Sequence, residues 1–247
     1  MDAPQVSYGT LCALFYDITK QYASQQEVDF YAAYAPHTQV RILECMSGSG
    51  RLQIPLLQQG YQVDGVDNSP AMLARCRQRC ASLDLQPLLF EQSIHTMQLL
   101  HTYDMIIIAA GSLQLLTDPD VMRAALKNMR AHMRTGGDLL LNLFIPDVTV
   151  DVHETLTAPV DEHTSVRLTK RHFFDVAAQQ ADTHCLYELI SSGVIRSQQT
   201  EWISVVWYTD AQIKTLLEQA GFQIVACEQS VYFGGTEYES MVHAQAI

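Results

Sequence analysis

The stretch from Arg41 to Asn68, RILECMSGSGRLQIPLLQQGYQVDGVDN, constrains the fold of this chain more than any other. Ile42 and Leu43 make a short apolar run, Ser47-Gly48-Ser49-Gly50 a turn, and Leu52, Ile54, Leu56 and Leu57 a helical face that stops at Gly60. A second strand, Gln62 to Val66, delivers Asp67 to its carboxyl end. In an open parallel sheet, ligands sit outside the carboxyl ends of strands. Small residues in the turn let a ligand approach the backbone, and the helix start beyond it offers free N–H groups. Asp67 is placed to accept hydrogen bonds from a ribose diol, so the unit reads as a nucleoside-binding half-fold.

The run Glu44-Cys45-Met46-Ser47-Gly48-Ser49-Gly50-Arg51, followed by Gly65-Val66-Asp67-Asn68-Ser69-Pro70-Ala71-Met72-Leu73, resembles the class I S-adenosylmethionine-dependent methyltransferases of small-molecule type. The resemblance implies that Glu44 lies near the methionine amino group of S-adenosyl-L-methionine. It further implies that Ser47 and Gly48 present backbone to that cofactor, that Asp67 holds the ribose hydroxyls, and that Asn68 and Met72 lie beside the adenine. Met46 departs from the pattern, standing in the cofactor turn where the family has its first glycine. After the third strand the family commonly has an acid for the adenine amino group. Here Ser93 takes that place, with Gln92 as the alternative acceptor. The end of the fourth strand, at Ala109 and Ala110, corresponds to the family segment beside the reacting sulfonium and the methyl acceptor.

Composition limits the alternatives. The chain has 247 residues and a formal charge of −12, which makes nucleic acid an unsuitable partner. It has no apolar run near the roughly 18 residues of a membrane span. The start, MDAPQVSYGT, lacks a signal peptide's basic and apolar regions, so the expectation is a cytoplasmic protein. Cys76 and Cys80 share a helical face without a second Cys/His pair, so no metal site is expected.

Along the chain, residues 1–36 read as two helices, which the resemblance makes a lid with Tyr16 facing the active site. Residues 37–146 form the cofactor-binding core. Within it, Ser69 caps a helix from Pro70 to Ala81, Pro87 to Glu91 is a third strand, and MIIIAAG after Asp104 a central fourth. A helix from Pro119 is expected to run to about Arg134 and stop at Thr135-Gly136-Gly137, before a fifth strand, Asp138 to Ile145. Pro55 lies uncomfortably within the first core helix unless that helix begins later than Gly50. Residues 147–206 alternate with period two and read as an antiparallel insertion of about three strands on the substrate side. It carries His153, His163, His172 and His184, none of which identifies itself as a catalytic base. Residues 207–247 supply a helix capped by Thr209 and two closing strands, with Gly234-Gly235 between them.

The expectation is one α/β domain: a doubly wound, mostly parallel seven-stranded Rossmann-like sheet with an antiparallel last strand and a small antiparallel β insertion. Its expected activity is methyl transfer from S-adenosyl-L-methionine to a small-molecule acceptor by in-line displacement. A non-catalytic subunit with a decayed site keeps the fold without the chemistry. A nicotinamide-dependent oxidoreductase shares the glycine turn but wants a third glycine at position 53, which is Gln. Acceptor, catalytic base and oligomeric state stay open.

Overall fold

The computed structural model describes residues 8–149, 153–229 and 238–247. The Gly234-Gly235 loop lies outside them. Two sheets organise the chain. The larger has seven strands in the order β10-β11-β5-β4-β1-β2-β3, and the smaller has four in the order β6-β7-β8-β9.

The larger sheet grows from β1 (Arg41–Cys45), which pairs in parallel with β2 (Gln62–Asp67) on one side and β4 (Tyr103–Ile108) on the other. β3 (Leu89–Glu91) extends it beyond β2, and β5 (Met133–Ile145) beyond β4. The order reverses at β1, and this is where an α/β sheet opens a crevice for ligands. β11 (Tyr238–Ala246) lies between β5 and β10 (Phe222–Gln229), antiparallel to both. β1 and β4 are buried almost throughout, as their continuous apolar runs require of strands covered on both faces. One face is covered by α5 (Pro119–Ala131) and α6 (Asp210–Gln219), whose Leu126, Met129 and Leu217 are fully buried. On the other, α2 (Gln25–Ala32) and α3 (Gln53–Gln58) bury Tyr31 and Leu56.

Three sequence expectations change. α3 begins at Gln53, so Pro55 falls in its first turn, where a missing N–H costs nothing. α5 ends at Ala131, capped by His132, and β5 starts at once, with Met133 opposite Tyr103. Gly136, at φ 79°, therefore serves an irregularity within β5 rather than a helix cap. The smaller sheet has four strands where three were expected. β6 (His153–Pro159) is an edge strand with few apolar residues, so its alternation is faint.

α1 (Thr10–Thr19) lies between the two sheets' territories. Leu11, Cys12 and Phe15 pack on Val166 and Leu168 of β7 (Thr164–Asp175) and on Cys185 and Tyr187 of β8 (Gln180–Ser191). Its opposite side is tied to α4 (Pro70–Ser82) by Asp17, which meets Arg75 at 2.8 Å and Arg79 at 2.9 Å. The N–H groups opening α1 are satisfied from β9 (Val194–Val206): Gly9 donates to Glu201 at 2.6 Å and Leu11 to Gln199 at 2.9 Å. No described helix is long and apolar enough to cross a membrane.

Candidate active site

A cavity of about 810 Å³ opens at the carboxyl ends of β1, β2 and β4. All twelve residues singled out from the sequence line it: Tyr16, Glu44, Met46, Ser47, Gly48, Asp67, Asn68, Met72, Gln92, Ser93, Ala109 and Ala110.

The turn after β1 is held from below and from the side. Ser47 N–H donates to the Val66 carbonyl at 3.1 Å, and Gly48 N–H donates to an Asp67 carboxylate oxygen at 2.8 Å. The other Asp67 oxygen accepts from Ser69 N–H at 2.8 Å. Burial raises the Asp67 pKa, while the N–H groups of Ser69, Gly48 and Asn68 pull it down. Each carboxylate oxygen keeps acceptor capacity for a diol. Met46 has φ 58°, the left-handed region where a side chain is costly. That conformation gives the family's first glycine its physical reason, and the turn here adopts it with methionine. The Met46 side chain is half-buried against the core of the sheet.

Glu44 is 4 % exposed, and burial pushes its pKa up to about 8 against the attraction of Arg51. Its Oε2 and the Ser47 hydroxyl are buried without a hydrogen-bond partner among the described residues. An orphaned carboxyl oxygen on a cavity wall suits a ligand ammonium group, and an orphaned hydroxyl a ligand polar atom. Both fit the methionine end of S-adenosylmethionine. Arg51 also lines the cavity and is clamped by both Glu27 oxygens at 2.6 Å. Tyr16 sits near Arg51 and Glu44, its phenol raised by burial.

Further lining residues escaped the sequence reading: Tyr8, Arg51, His95, Ser112 and Asp118 among them. Tyr8 is brought in by its carbonyl, which accepts from the Ser69 hydroxyl at 2.7 Å, a contact without a local sequence signal. Arg51 could have been suspected from its place directly after the glycine turn.

A second cavity, of about 770 Å³, adjoins the first, and Tyr8, Tyr16, Ala110, Ser112 and Leu115 line both. Its other walls come from α1, the end of β5 and the inner face of the four-stranded sheet. Gln114, fully buried, joins these parts. Its amide donates to the carbonyls of Phe144 at 2.8 Å and Val206 at 3.0 Å, and its oxygen accepts from Phe144 N–H at 2.8 Å. Of the histidines in residues 147–206, His172 lines this second cavity, whereas His184 packs against Trp202 at 4.9 Å.

Comparison with known proteins agrees with this geometry. Residues 42–137 match the family model described as a methyltransferase domain. A protein of Geobacillus sp. (strain WCH70) that carries a provisional methyltransferase name is 27% identical over 115 residues. The match spans 47% of this chain and 43% of that protein, less than half of either. Solved structures share the fold over nearly the whole chain. An S-adenosylmethionine-dependent methyltransferase from Clostridium acetobutylicum superposes with a TM-score of 0.74 at 16% identity, covering 95% of this chain and 97% of that one. The sugar N-methyltransferase of Streptoalloteichus sp. reaches 0.76 at 17% identity, covering 100% and 96%. An amino pentose methyltransferase of Micromonospora echinaspora, solved with S-adenosylmethionine bound, reaches 0.72 at 19% identity, covering 99% and 100%. Over residues 42–137 the chain matches a methyltransferase-domain family, and over nearly its whole length it shares the fold of S-adenosylmethionine-dependent methyltransferases, a Rossmann-like sheet with a second, antiparallel sheet. Neighbours of this fold have been solved with S-adenosylmethionine and with S-adenosylhomocysteine bound.

Proposed function

We propose that the protein passes the sulfonium methyl group of S-adenosylmethionine to a small-molecule acceptor by in-line displacement. The observation that carries this reading is the pair of adjoining cavities, one lined by all twelve residues singled out for the cofactor and both bordered by Tyr8, Tyr16, Ala110, Ser112 and Leu115. When bound, S-adenosylmethionine supplies a methyl group made electrophilic by its positive sulfur, so the protein contributes mainly orientation and a dry site. Glu44 holds the methionine ammonium on its unpartnered oxygen, Ser47 and Gly48 offer turn backbone, and Asp67 holds the ribose. Gln92, Ser93, Asn68 and Met72 surround the adenine. Residues 8–36 act as the lid, with Tyr16 excluding water. Residues 37–146 form the core, residues 147–206 the acceptor-side wall, and residues 207–247 the closing edge. The second cavity is large enough for a small metabolite, and two of the structural neighbours are named for sugar-type substrates.

A nicotinamide oxidoreductase is disfavoured by β11, which runs antiparallel to both its neighbours. The test is a thermal shift with S-adenosylmethionine, S-adenosylhomocysteine and NADH. A ligand at 100 times its Kd should stabilise the fold by about 2.7 kcal/mol, several degrees for a chain of this size. Stabilisation by the sulfur nucleosides, followed by methyl transfer to at least one member of an acceptor panel, is expected. Stabilisation by NADH alone overturns the reading, and cofactor binding with no transfer across the panel favours the non-catalytic subunit.

A further inference from the structure

The acceptor cavity carries one polar patch on its sheet wall. β7 and β8 pair so that Lys170 stands opposite Cys185 and His172 opposite Thr183. Residues two apart on a strand share a face, so Lys170, His172 and Thr183 stand together, and all three line the cavity. Much of the remaining wall is hydrocarbon or aromatic: Phe15, Phe144, Leu168, Phe174, Ile203 and Val205. The His172 ring is fixed, with Nδ1 2.9 Å from the Thr183 hydroxyl and its plane stacked within 9° of Phe174. Lys170 meets Glu154 at 2.9 Å, one contact for an ammonium that has three N–H donors. Lys20, just beyond α1, lines the same cavity.

The charge distribution is unusual for this chain. It has a formal charge of −12 and four lysines, and two of the four line this one cavity. Among the described residues, Asp147 is the one carboxylate in the lining. It is exposed, and one of its oxygens already takes the Thr149 N–H at 2.9 Å and hydroxyl at 2.6 Å. A cationic acceptor would meet lysines here without a buried carboxylate to receive it. An anion would meet donors from three side chains on one wall.

We propose that Lys170, His172 and Thr183 read an anionic substituent, a carboxylate or phosphate, on a methyl acceptor whose ring or hydrocarbon body fills the apolar remainder of the cavity. This rests on the methyltransferase reading and narrows its substrate class. Burial, and then Lys170, hold the His172 pKa below its usual value, with Glu154 opposing. A bound anion must shift it upward, which a purely structural histidine would not show.

The probes are 2-naphthoate, 2-naphthyl phosphate and 2-naphthylmethylammonium, matched in ring and differing in charge. They are titrated by calorimetry into the full chain saturated with S-adenosylhomocysteine. At least one anion should bind about tenfold or more tighter than the ammonium. Lys170→Met should remove about tenfold or more of that preference, as expected for loss of a charge-assisted contact. NMR titration should show the His172 pKa rising when the anion binds. Equal binding, tighter binding of the ammonium, no binding of any probe, or an unchanged preference in Lys170→Met overturns the proposal. The thermal shift with S-adenosylhomocysteine in the same samples separates the two failures. Its loss in the wild type sinks the methyltransferase reading, whereas its presence without a charge preference sinks only the acceptor class. Its presence in Lys170→Met shows that the variant is folded.

Discussion

The two cavities adjoin, yet they are built from different materials. The cofactor side is built on a local main-chain frame: the turn at the end of β1 and the N–H groups of Gly48 and Ser69, which hold the Asp67 carboxylate at the end of a parallel strand. The acceptor side is side chain, contributed by α1, the ends of β4 and β5 and the inner face of an antiparallel sheet. A site made of backbone and a few charges is fixed by local sequence. One assembled from distant side chains can be re-specified one residue at a time without disturbing the sheet beneath it.

The comparison breaks most sharply at Asp67. Replacing it by alanine removes the carboxylate that orients the turn through Gly48 and, on the proposed reading, the acceptor of the ribose hydroxyls. A hydrogen bond to a charged group is worth about 1.5–3 kcal/mol, so Asp67→Ala should weaken S-adenosylhomocysteine binding by roughly 10- to 100-fold. Calorimetry on the folded variant checks this. Unchanged affinity would mean that the ligand is held elsewhere. Binding of the naphthalene probes should change far less, because Asp67 does not line the second cavity.

The next largest effect belongs at the seam. Gly111 has φ 66°, and a Cβ there would lie 2.3 Å from the Phe144 ring. Phe144 lines the acceptor cavity, and its backbone is held by Gln114, so the ring must yield into the cavity or the turn must open. Gly111→Ala should cost about 1–3 kcal/mol, a fall in Tm of several degrees, and should weaken the naphthalene probes more than S-adenosylhomocysteine. An unaltered melting temperature would show that the Phe144 ring or the turn yields to the added methyl group without cost.

How much was legible follows the same division. The glycine turn, Asp67, the Ser69 cap and the central apolar strand are contiguous signals, and seven strands with an antiparallel last one emerge from them. Residues 147–206 showed period two but not their partners. Alternation identifies a strand without saying which neighbour it pairs with, and β6 is an edge whose apolar side is little more than Leu156 and Ala158. Tyr8 was invisible because its place depends on a carbonyl bonded to Ser69, 61 residues away. Gly136-Gly137 misled because a glycine pair closing a helix and one accommodating a strand irregularity look alike in one dimension.

A pH titration sharpens the cofactor side. Burial raises the Glu44 pKa to about 8, from an ordinary value of 4.5. A carboxyl group whose folded pKa is raised contributes stability that is full below the unfolded value and lost as pH rises through the folded one. Between about pH 4.5 and 8, the wild type should therefore lose on the order of 1 kcal/mol per pH unit relative to Glu44→Gln, whose side chain does not titrate. Denaturant unfolding across that range reads the difference. Parallel curves would show that Glu44 is solvated in the absence of ligand.

The smallest effect concerns Met46, where the cofactor side departs from the methyltransferase motif that it resembles. Its left-handed backbone should cost about 1–2 kcal/mol for any residue with a Cβ, and glycine avoids this while giving up unfolded-state rigidity worth about 0.4–1 kcal/mol. The methionine side chain offsets part of the strain by packing, half-buried, against the core. Met46→Gly alone mixes these terms and should change stability by less than about 1 kcal/mol. The informative pair is Met46→Gly against Met46→Ala, since both lose the side chain and only alanine keeps the strain. Glycine should be the more stable of the two by about 1 kcal/mol or less, read as a difference in denaturant midpoint. If alanine equals or exceeds glycine, the turn relaxes out of the left-handed region when methionine is removed, and the packing of Met46, rather than the demands of the turn, sets the backbone at this position.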